Sequence, residues 1–338
     1  MISYSKEEAK QKMNELGKAE TPFLFILDFE LQKPVVIPLH AVDNQEIRYS
    51  MDDHFLEYRN FFSKPSEEPE LLKLEKSPLT FETFEKAFSI VHDNLQRGNS
   101  FLTNLTAETP IEVNWSLESV FQHCAAKYKL FVKDNFMCFS PETFVQVNET
   151  GKISSFPMKG TIDAQIPNAA SAILADKKEK YEHTTIVDLI RNDLSKIAEK
   201  VWVERFRYID KIKKADGKEL LQVSSEVCGQ LPENWKCCIG QLIFDLLPAG
   251  SISGAPKPKT VEIIQEAEKL TYESGQRGYY TGVFGVFDGS KLNSAVMIRY
   301  IEQRGKSLFF KSGGGITWRS DPQKEYDELI SKIYVPVL

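Results

Sequence analysis

Three glutamates carry the chemistry that this sequence could perform. Glu325 and Glu328 lie three apart in a stretch whose Ser320, Pro322 and Gln323 are helix-start signals with Ser320 at the N-cap, so the two carboxylates share one helix face. Glu182 stands beside His183 on a long charged helical run, off the apolar stripe of that run. Converging carboxylates repel unless one is protonated or a hard cation sits among them, and an oxygen-only set suits Mg²⁺. Solvated surface glutamates are the plain alternative, and charge patterning alone favours it.

Five further features could complete a site. Lys159, in SFPMKGT, follows a strand and precedes a glycine turn, where a cleft that lowered its pKa would make it a nucleophile; otherwise it is a surface lysine. Glu142, in SPETF, is a general acid if an apolar setting keeps it protonated and an ordinary turn residue if not. Arg299 stands in an apolar strand, AVMIRY, where a buried guanidinium would require an anion such as a carboxylate, unless it faces outward. The glycines at 313–315 would let backbone N–H groups approach a carboxylate, or would simply mark a bend. The loop 248–257 is not a phosphate loop, because no Gly-Lys-Ser/Thr follows its turn; it leads into a helix N-terminus with Ser251 and Ser253 able to donate to an anion.

The frame that must position these residues is globular. The chain has 338 residues, 42% hydrophobic and 27% charged, with a formal net charge of −6. That leaves no case for disorder, and the net charge gives no field attracting nucleic acid or an acidic membrane. An anionic substrate must then be held by local donors or a cation. No N-terminal signal and no membrane span is apparent, and five cysteines without a C-x-x-C pair fit a reducing cytoplasm, each as a small buried hydrophobe.

Periodicity predicts a helix over 5–17, two strands within 22–38, and an acidic, irregular surface excursion over 41–78 that includes Pro65, Pro69 and Pro78. A helix from Thr80 to Gly98 follows, then strands at 101–109, 129–134, 143–148 and 152–156 with a short helix opened by Ser116. The long helix at about 176–198 buries Tyr181, Val187, Ile190, Leu194 and Ile197 by this reading. Strands at 200–208, 219–228, 279–287, 294–303 and 307–312 and helices at 233–247, 257–269 and 322–334 complete the chain. The mixed clusters lack strict βαβ alternation, so an α+β fold with mainly antiparallel sheets is expected, with 80–338 as one cooperative core and 1–79 as a strand-bearing appendage packed on it.

Seven motifs, SPETF, SFPMKGT, KYEHTTIVDLIRNDL, LPAGSISGAPKPKTVEII, RGYYTGVFGVF, NSAVMIRY and SGGGITWRSDPQKEYDEL, occur in this order. Together they resemble the chorismate-utilising enzymes, among them anthranilate, aminodeoxychorismate, isochorismate and salicylate synthases, over about residues 80–338. The resemblance implies a two-layer antiparallel β core wrapped by helices, with chorismate and Mg²⁺ in a cleft. It implies Glu182, Glu325 and Glu328 as metal ligands. For the substrate it implies Arg299, Tyr280, Thr161 and the N–H groups of Gly313 and Gly315, with Ser251 nearby.

The same resemblance ranks the activities. Isochorismate and salicylate synthases carry a water-activating lysine where this chain has Leu102, which cannot take a proton from water. Aminodeoxychorismate synthases carry a lysine at the position of Lys159, which would attack C2 of chorismate while Glu142 protonates the departing C4 hydroxyl. Amination serving p-aminobenzoate and folate synthesis is therefore the expectation, with anthranilate synthase component I and a non-catalytic chorismate-binding protein as alternatives. Tryptophan feedback is not expected, since no Leu-Leu-Glu-Ser run occurs in residues 1–79. Gln222 replaces a histidine usual in the family and can only hydrogen-bond. No Gly-x-Cys-x-Gly elbow occurs, so ammonia is expected from a separate glutamine amidotransferase subunit (component II), and no lyase domain is expected before the last residue, Leu338.

Overall fold

Two antiparallel sheets face each other in the computed structural model, which describes residues 2–51, 55, 58–61, 71–213 and 219–337. The first runs Met158–Asp163, Glu219–Gln230, Lys152–Ser155, Thr143–Val147, Leu292–Val296, Val283–Phe287, Phe23–Leu27 and Val35–Pro38, with Lys200–Lys213 also paired to Glu219–Gln230. The second runs Gly254–Ala255, Leu102–Val113, Ser307–Ile316, Tyr300–Arg304, Phe136–Ser140, Tyr128–Val132, Ile47–Met51 and Tyr58–Arg59, with Leu74–Lys76 on Leu102–Val113. The expected α+β class, a two-layer antiparallel core wrapped by helices, is the one observed.

The apolar run FLFIL shows why the layers stack. Its alternate residues Phe23, Phe25 and Leu27 face a helix-covered core with Met13, Ile239 and Ile243, while Leu24 and Ile26 face the second sheet and meet Tyr49, Leu130 and Phe136. A strand buried on both faces reads as continuous hydrophobic sequence. Each such side chain contributes about 1.5–3 kcal/mol by leaving water. Segment 1–79 supplies the terminal strands of both sheets at one end, Phe23–Leu27 and Val35–Pro38 on one, Ile47–Met51 and Tyr58–Arg59 on the other.

Several expectations change. Residues 62–70, with Pro65 and Pro69, lie outside the described residues, but Ile47, Tyr49 and Met51 of the supposed excursion are buried core. Phe136–Ser140 is a strand that periodicity passed over, because its residues are all buried and give no alternation; it pairs with Tyr128–Val132 across a turn at Asp134, whose φ is +55°. Met158–Asp163 and the helix Ala169–Ala175 were also not anticipated. Tyr181 is 72% exposed and does not join the buried stripe, which begins further along the helix Lys177–Leu194. Of the cysteines, only Cys124, Cys138 and Cys228 are buried; Cys237 is exposed and Cys238 intermediate, at the end of the short helical turn Trp235–Cys238.

Candidate active site

Lys159 projects from a flaw in the first sheet. The register of Met158–Asp163 against Glu219–Gln230 shifts between Met158 and Thr161, and Gly160 adopts φ +87° there. That φ favours glycine, and a Cβ there would also stand 2.8 Å from Glu179 Oε2 and push that carboxylate aside. The Lys159 ammonium lies 3.0 Å from Glu182 Oε2. Burial alone would pull its pKa down, but the fields of Glu182, Glu179 and Glu328 outweigh that and raise it. The expectation of a lowered pKa is thus reversed for the free protein: Lys159 is an ammonium ion in an acidic setting. Thr161 lies two residues on in the same strand, exposed and in register with Gln222.

Two helices bring the carboxylates. Lys177–Leu194 starts at Asp176, whose side chain accepts from the Glu179 N–H at 2.9 Å, and it carries Glu179 and Glu182 on one face. Pro322–Ser331 carries Glu325 and Glu328. Its N-cap is Asp321, accepting from the Lys324 N–H at 3.0 Å, and not Ser320, because Pro322 occupies the first helical position directly after it. Ser320 turns back to accept from the Thr317 N–H at 3.1 Å and also hydrogen-bonds Glu325. Burial raises the Glu325 pKa and the neighbouring Glu328 adds to it, against the Ser320 bond and the ammonium groups of Lys159 and Lys332.

The donor chemistry fits a hard cation, and so does one cradle. A Cβ on Gly314 would point at Glu325 Oε2, Lys332 Nζ and Glu328 Oε1, 3.5 to 3.7 Å away, so the glycine keeps open the space that these groups face. In the free protein two lysines meet the negative charge instead: Lys159 on Glu182, and Lys332 on Glu328 at 2.7 Å. Among the described residues no three acidic, histidine or cysteine side chains are gathered closely enough to hold a metal ion. Glu182 would have to leave Lys159 to join Glu325 and Glu328.

The glycine run sits on a half-paired strand. Ser307–Ile316 pairs along its length with Leu102–Val113, Gly313 to Gly315 facing Thr106 to Asn104, whereas pairing with Tyr300–Arg304 stops at Tyr300 opposite Lys311. Beyond Lys311 the other edge has no partner strand among the described residues. Lys332 Nζ donates to the Gly313 carbonyl at 2.8 Å. Leu102 packs on the same segment, its Cδ1 3.1 Å from where a Cβ of Gly315 would be.

A second group gathers around Glu142. Its carboxylate accepts a very short hydrogen bond from the Ser251 hydroxyl, and its carbonyl accepts from the Val296 N–H at 3.1 Å. Burial raises the Glu142 pKa; the Ser251 bond and the Arg299 charge pull it partly back. Ser251, which the resemblance sets near the substrate carboxylate, donates to Glu142 in the free protein. Arg299 is not inside a strand: the expected run 294–303 breaks into Leu292–Val296 and Tyr300–Arg304, and Arg299 takes the left-handed φ of +54° at the break. Its Nε lies 3.3 Å from Tyr334 Oη, and burial raises the Tyr280 pKa, with the Arg277 and Arg299 charges opposing it in part. Tyr280 is buried, its ring 5.8 Å from that of Tyr300.

Sequence reading passed over three supports. Glu179 and Lys332 belong to the charged cluster, and the i, i+3 spacing from Glu182 and the i, i+4 spacing from Glu328 would have found them. Arg277 is fully buried: it pairs with Glu268 through Nε at 2.8 Å and Nη2 at 2.7 Å and donates to the carbonyls of Ile252 and Asn104 at 2.9 and 2.7 Å. No local pattern marks it.

Glutamates and a lysine gathered beside a glycine-rich half-paired strand, on a frame of two antiparallel sheets, define the class. The chain belongs to the chorismate binding enzyme family, whose profile matches residues 3–337, well beyond the 80–338 over which the motifs run. It is 49% identical over 327 residues to an uncharacterized PabA-like protein of Haemophilus influenzae, covering 97% of this chain and 96% of the relative. It is 29% identical to aminodeoxychorismate synthase component 1 of Bacillus subtilis, over 76% of this chain and 55% of that protein. It is 33% identical to anthranilate synthase component 1 of Aquifex aeolicus, over 57% of this chain and 38% of that protein. Among solved structures the fold matches MenF, the menaquinone-specific isochorismate synthase of Escherichia coli, with a TM-score of 0.69 at 14% identity, covering 98% of this chain and 82% of that one.

Proposed function

We propose that the protein is the synthase component that aminates chorismate at C4 to 4-amino-4-deoxychorismate, in the cytoplasmic route to p-aminobenzoate and folate. The observation that carries this reading is Lys159 standing within the carboxylate cluster, 3.0 Å from Glu182, at the position where the resemblance gives aminodeoxychorismate synthases a lysine. In this reading the Lys159 ammonium gives its proton to solvent hydroxide at alkaline pH, and the free amine attacks C2 of the ring. The C4 hydroxyl departs as water with a proton from Glu142, ammonia adds at C4, and loss of the lysine from C2 restores the diene. Arg299 and Tyr280 hold the enolpyruvyl carboxylate beside the open edge of Gly313–Gly315, and Thr161 flanks the ring. Mg²⁺ bound by Glu182, Glu325 and Glu328 would anchor the ring carboxylate and take the place of Lys159 as the partner of Glu182. Ammonia comes from a separate glutamine amidotransferase subunit, and free ammonium serves in its absence.

Leu102 supports amination over hydration, since an alkyl side chain, packed on Gly315, occupies the position where the resemblance gives the hydrating enzymes their water-activating lysine. The similarity to the Aquifex aeolicus anthranilate synthase component gives the second reading, conversion to anthranilate. One experiment separates them: chorismate, Mg²⁺ and ammonium at alkaline pH, with products resolved with and without an added aminodeoxychorismate lyase. A stable aminated enol ether that gives pyruvate only with the lyase is expected. Pyruvate and a fluorescent aromatic amine without lyase would overturn amination at C4, and no turnover at all would leave a chorismate-binding protein.

A further inference from the structure

A cavity of about 30 Å³ is lined by both members of the Glu142–Ser251 pair, by Ser155 and Gly250, and by Asp193. Asp193 is buried, and each of its oxygens is taken by an ammonium: Oδ1 by Lys196 at 2.8 Å and Oδ2 by Lys257 at 2.9 Å. Lys257, itself largely buried, also donates to the Leu246 carbonyl at 2.7 Å. Leu246 and Lys257 are the two ends of the loop that carries Ser251, so one ammonium ties both ends to the helix Lys177–Leu194. Asp193 lies under the loop as well: a Cβ on Gly250 would meet its Oδ2 at 2.9 Å and Leu189 Cδ2 at 1.9 Å. The other side of the turn is fixed by Arg277, which donates to the Ile252 carbonyl at 2.9 Å.

We infer that the Asp193–Lys257 pair is a positioning clamp that holds the Ser251 hydroxyl on Glu142. An ion pair this deep offers little net stability over apolar packing, so a role in holding geometry accounts better for its burial. The clamp deepens the general-acid reading of Glu142 and rests on it for its meaning in turnover.

The test reads Glu142 directly. In the full chain, infrared titration follows the protonated-carboxyl band that Glu142→Gln removes. The groups that act on Glu142 are Ser251, Arg299 and Tyr280; Asp193, which carries Lys196 and Lys257, lines the same cavity. Losing the Ser251 bond raises the Glu142 midpoint. Losing the Asp193 charge alone lowers it, because a like charge disappears and Lys257 is left uncompensated. The sign therefore separates position from field. Asp193→Asn is expected to raise the midpoint by about one pH unit, as Ser251→Ala does, with no further rise in the double variant. Gly250→Ala displaces the loop without changing charge and is expected to give the same rise, and it decides the matter if Asp193→Asn does not fold. An unchanged or lowered midpoint in the folded variant, or additive shifts in the double variant, overturns the clamp. Because no turnover is read, this result stands apart from the product analysis, and Glu142→Gln that kept its turnover would remove the general-acid reading alone.

Discussion

Lys159 and Glu182 hold each other at 3.0 Å across the gap between a sheet strand and a helix. The residue read as nucleophile and the residue read as metal ligand are thus each other's counter-ion in the free protein. Lys159→Arg separates the two roles. Arginine keeps the pair with Glu182 but is not deprotonated in water. The ammonia-dependent consumption of chorismate is expected to fall by about 10²-fold or more. The melting temperature should hardly move, since a pair whose lysine is 44% exposed is worth at most about 1 kcal/mol. Retained turnover would remove the covalent step.

Glu328 is more than half exposed and bound to Lys332 one helical turn away. Glu328→Gln should change stability by no more than about 0.5 kcal/mol. Calorimetric titration with Mg²⁺ should show weakened binding. A large drop in melting temperature with metal binding intact would contradict the placement of Glu328 among the ligands.

The adjacent glycines are expected to fail in different ways. A Cβ on Gly313 would stand 2.5 Å from the Leu105 carbonyl oxygen, so Gly313→Ala should cost about 1–3 kcal/mol in a denaturant melt. On Gly314 the nearest atoms are at ordinary contact distance, so Gly314→Ala should fold normally. Chorismate and Mg²⁺ titrations should nevertheless show lost affinity, because the methyl enters the space that Glu325, Glu328 and Lys332 face.

Glu142→Gln should trade turnover for stability. Burial raises the Glu142 pKa above the ordinary carboxylate value, so the folded state holds this proton more tightly than the unfolded chain does. That contribution is complete below the unfolded pKa and is lost as pH rises through the raised folded one. Denaturant melts across this window should show wild type losing stability relative to Glu142→Gln. The opposite trend would mean that Glu142 is ionised more easily than its surroundings imply.

Arg277→Met should be the most damaging single change here, costing about 3–5 kcal/mol because Glu268 is left charged and buried. Adding Glu268→Gln should return part of that loss in thermal melts. Equal melting of the single and double variants would mean that the guanidinium matters through the Ile252 and Asn104 carbonyls and not through its charge.

Legibility from sequence tracked how local each signal was. Period and caps located the helices that carry Glu182 and Glu325, and the alternating or continuous apolar runs located most strands. The hairpin strand Phe136–Ser140 escaped because full burial erases alternation. Arg299 was placed in a strand because nothing in AVMIRY announces a residue at φ +54°; the break is imposed by where the partner strand ends. Lys159 is legible as a candidate nucleophile, but its raised pKa is not, since that depends on Glu182, Glu179 and Glu328 arriving from distant helices. The Arg277–Glu268 pair and the Asp193–Lys257 pair join residues on different elements, and no spacing rule reaches them.

The terminal strands of both layers come from the first sixty residues, and Leu24, Ile26, Tyr49 and Met51 plug the seam between the layers. The segment that bears all the proposed chemistry is therefore not an autonomous enzyme with an ornament attached. Cut free, it would expose two raw sheet margins and a greasy slot between them, inviting self-association in place of catalysis.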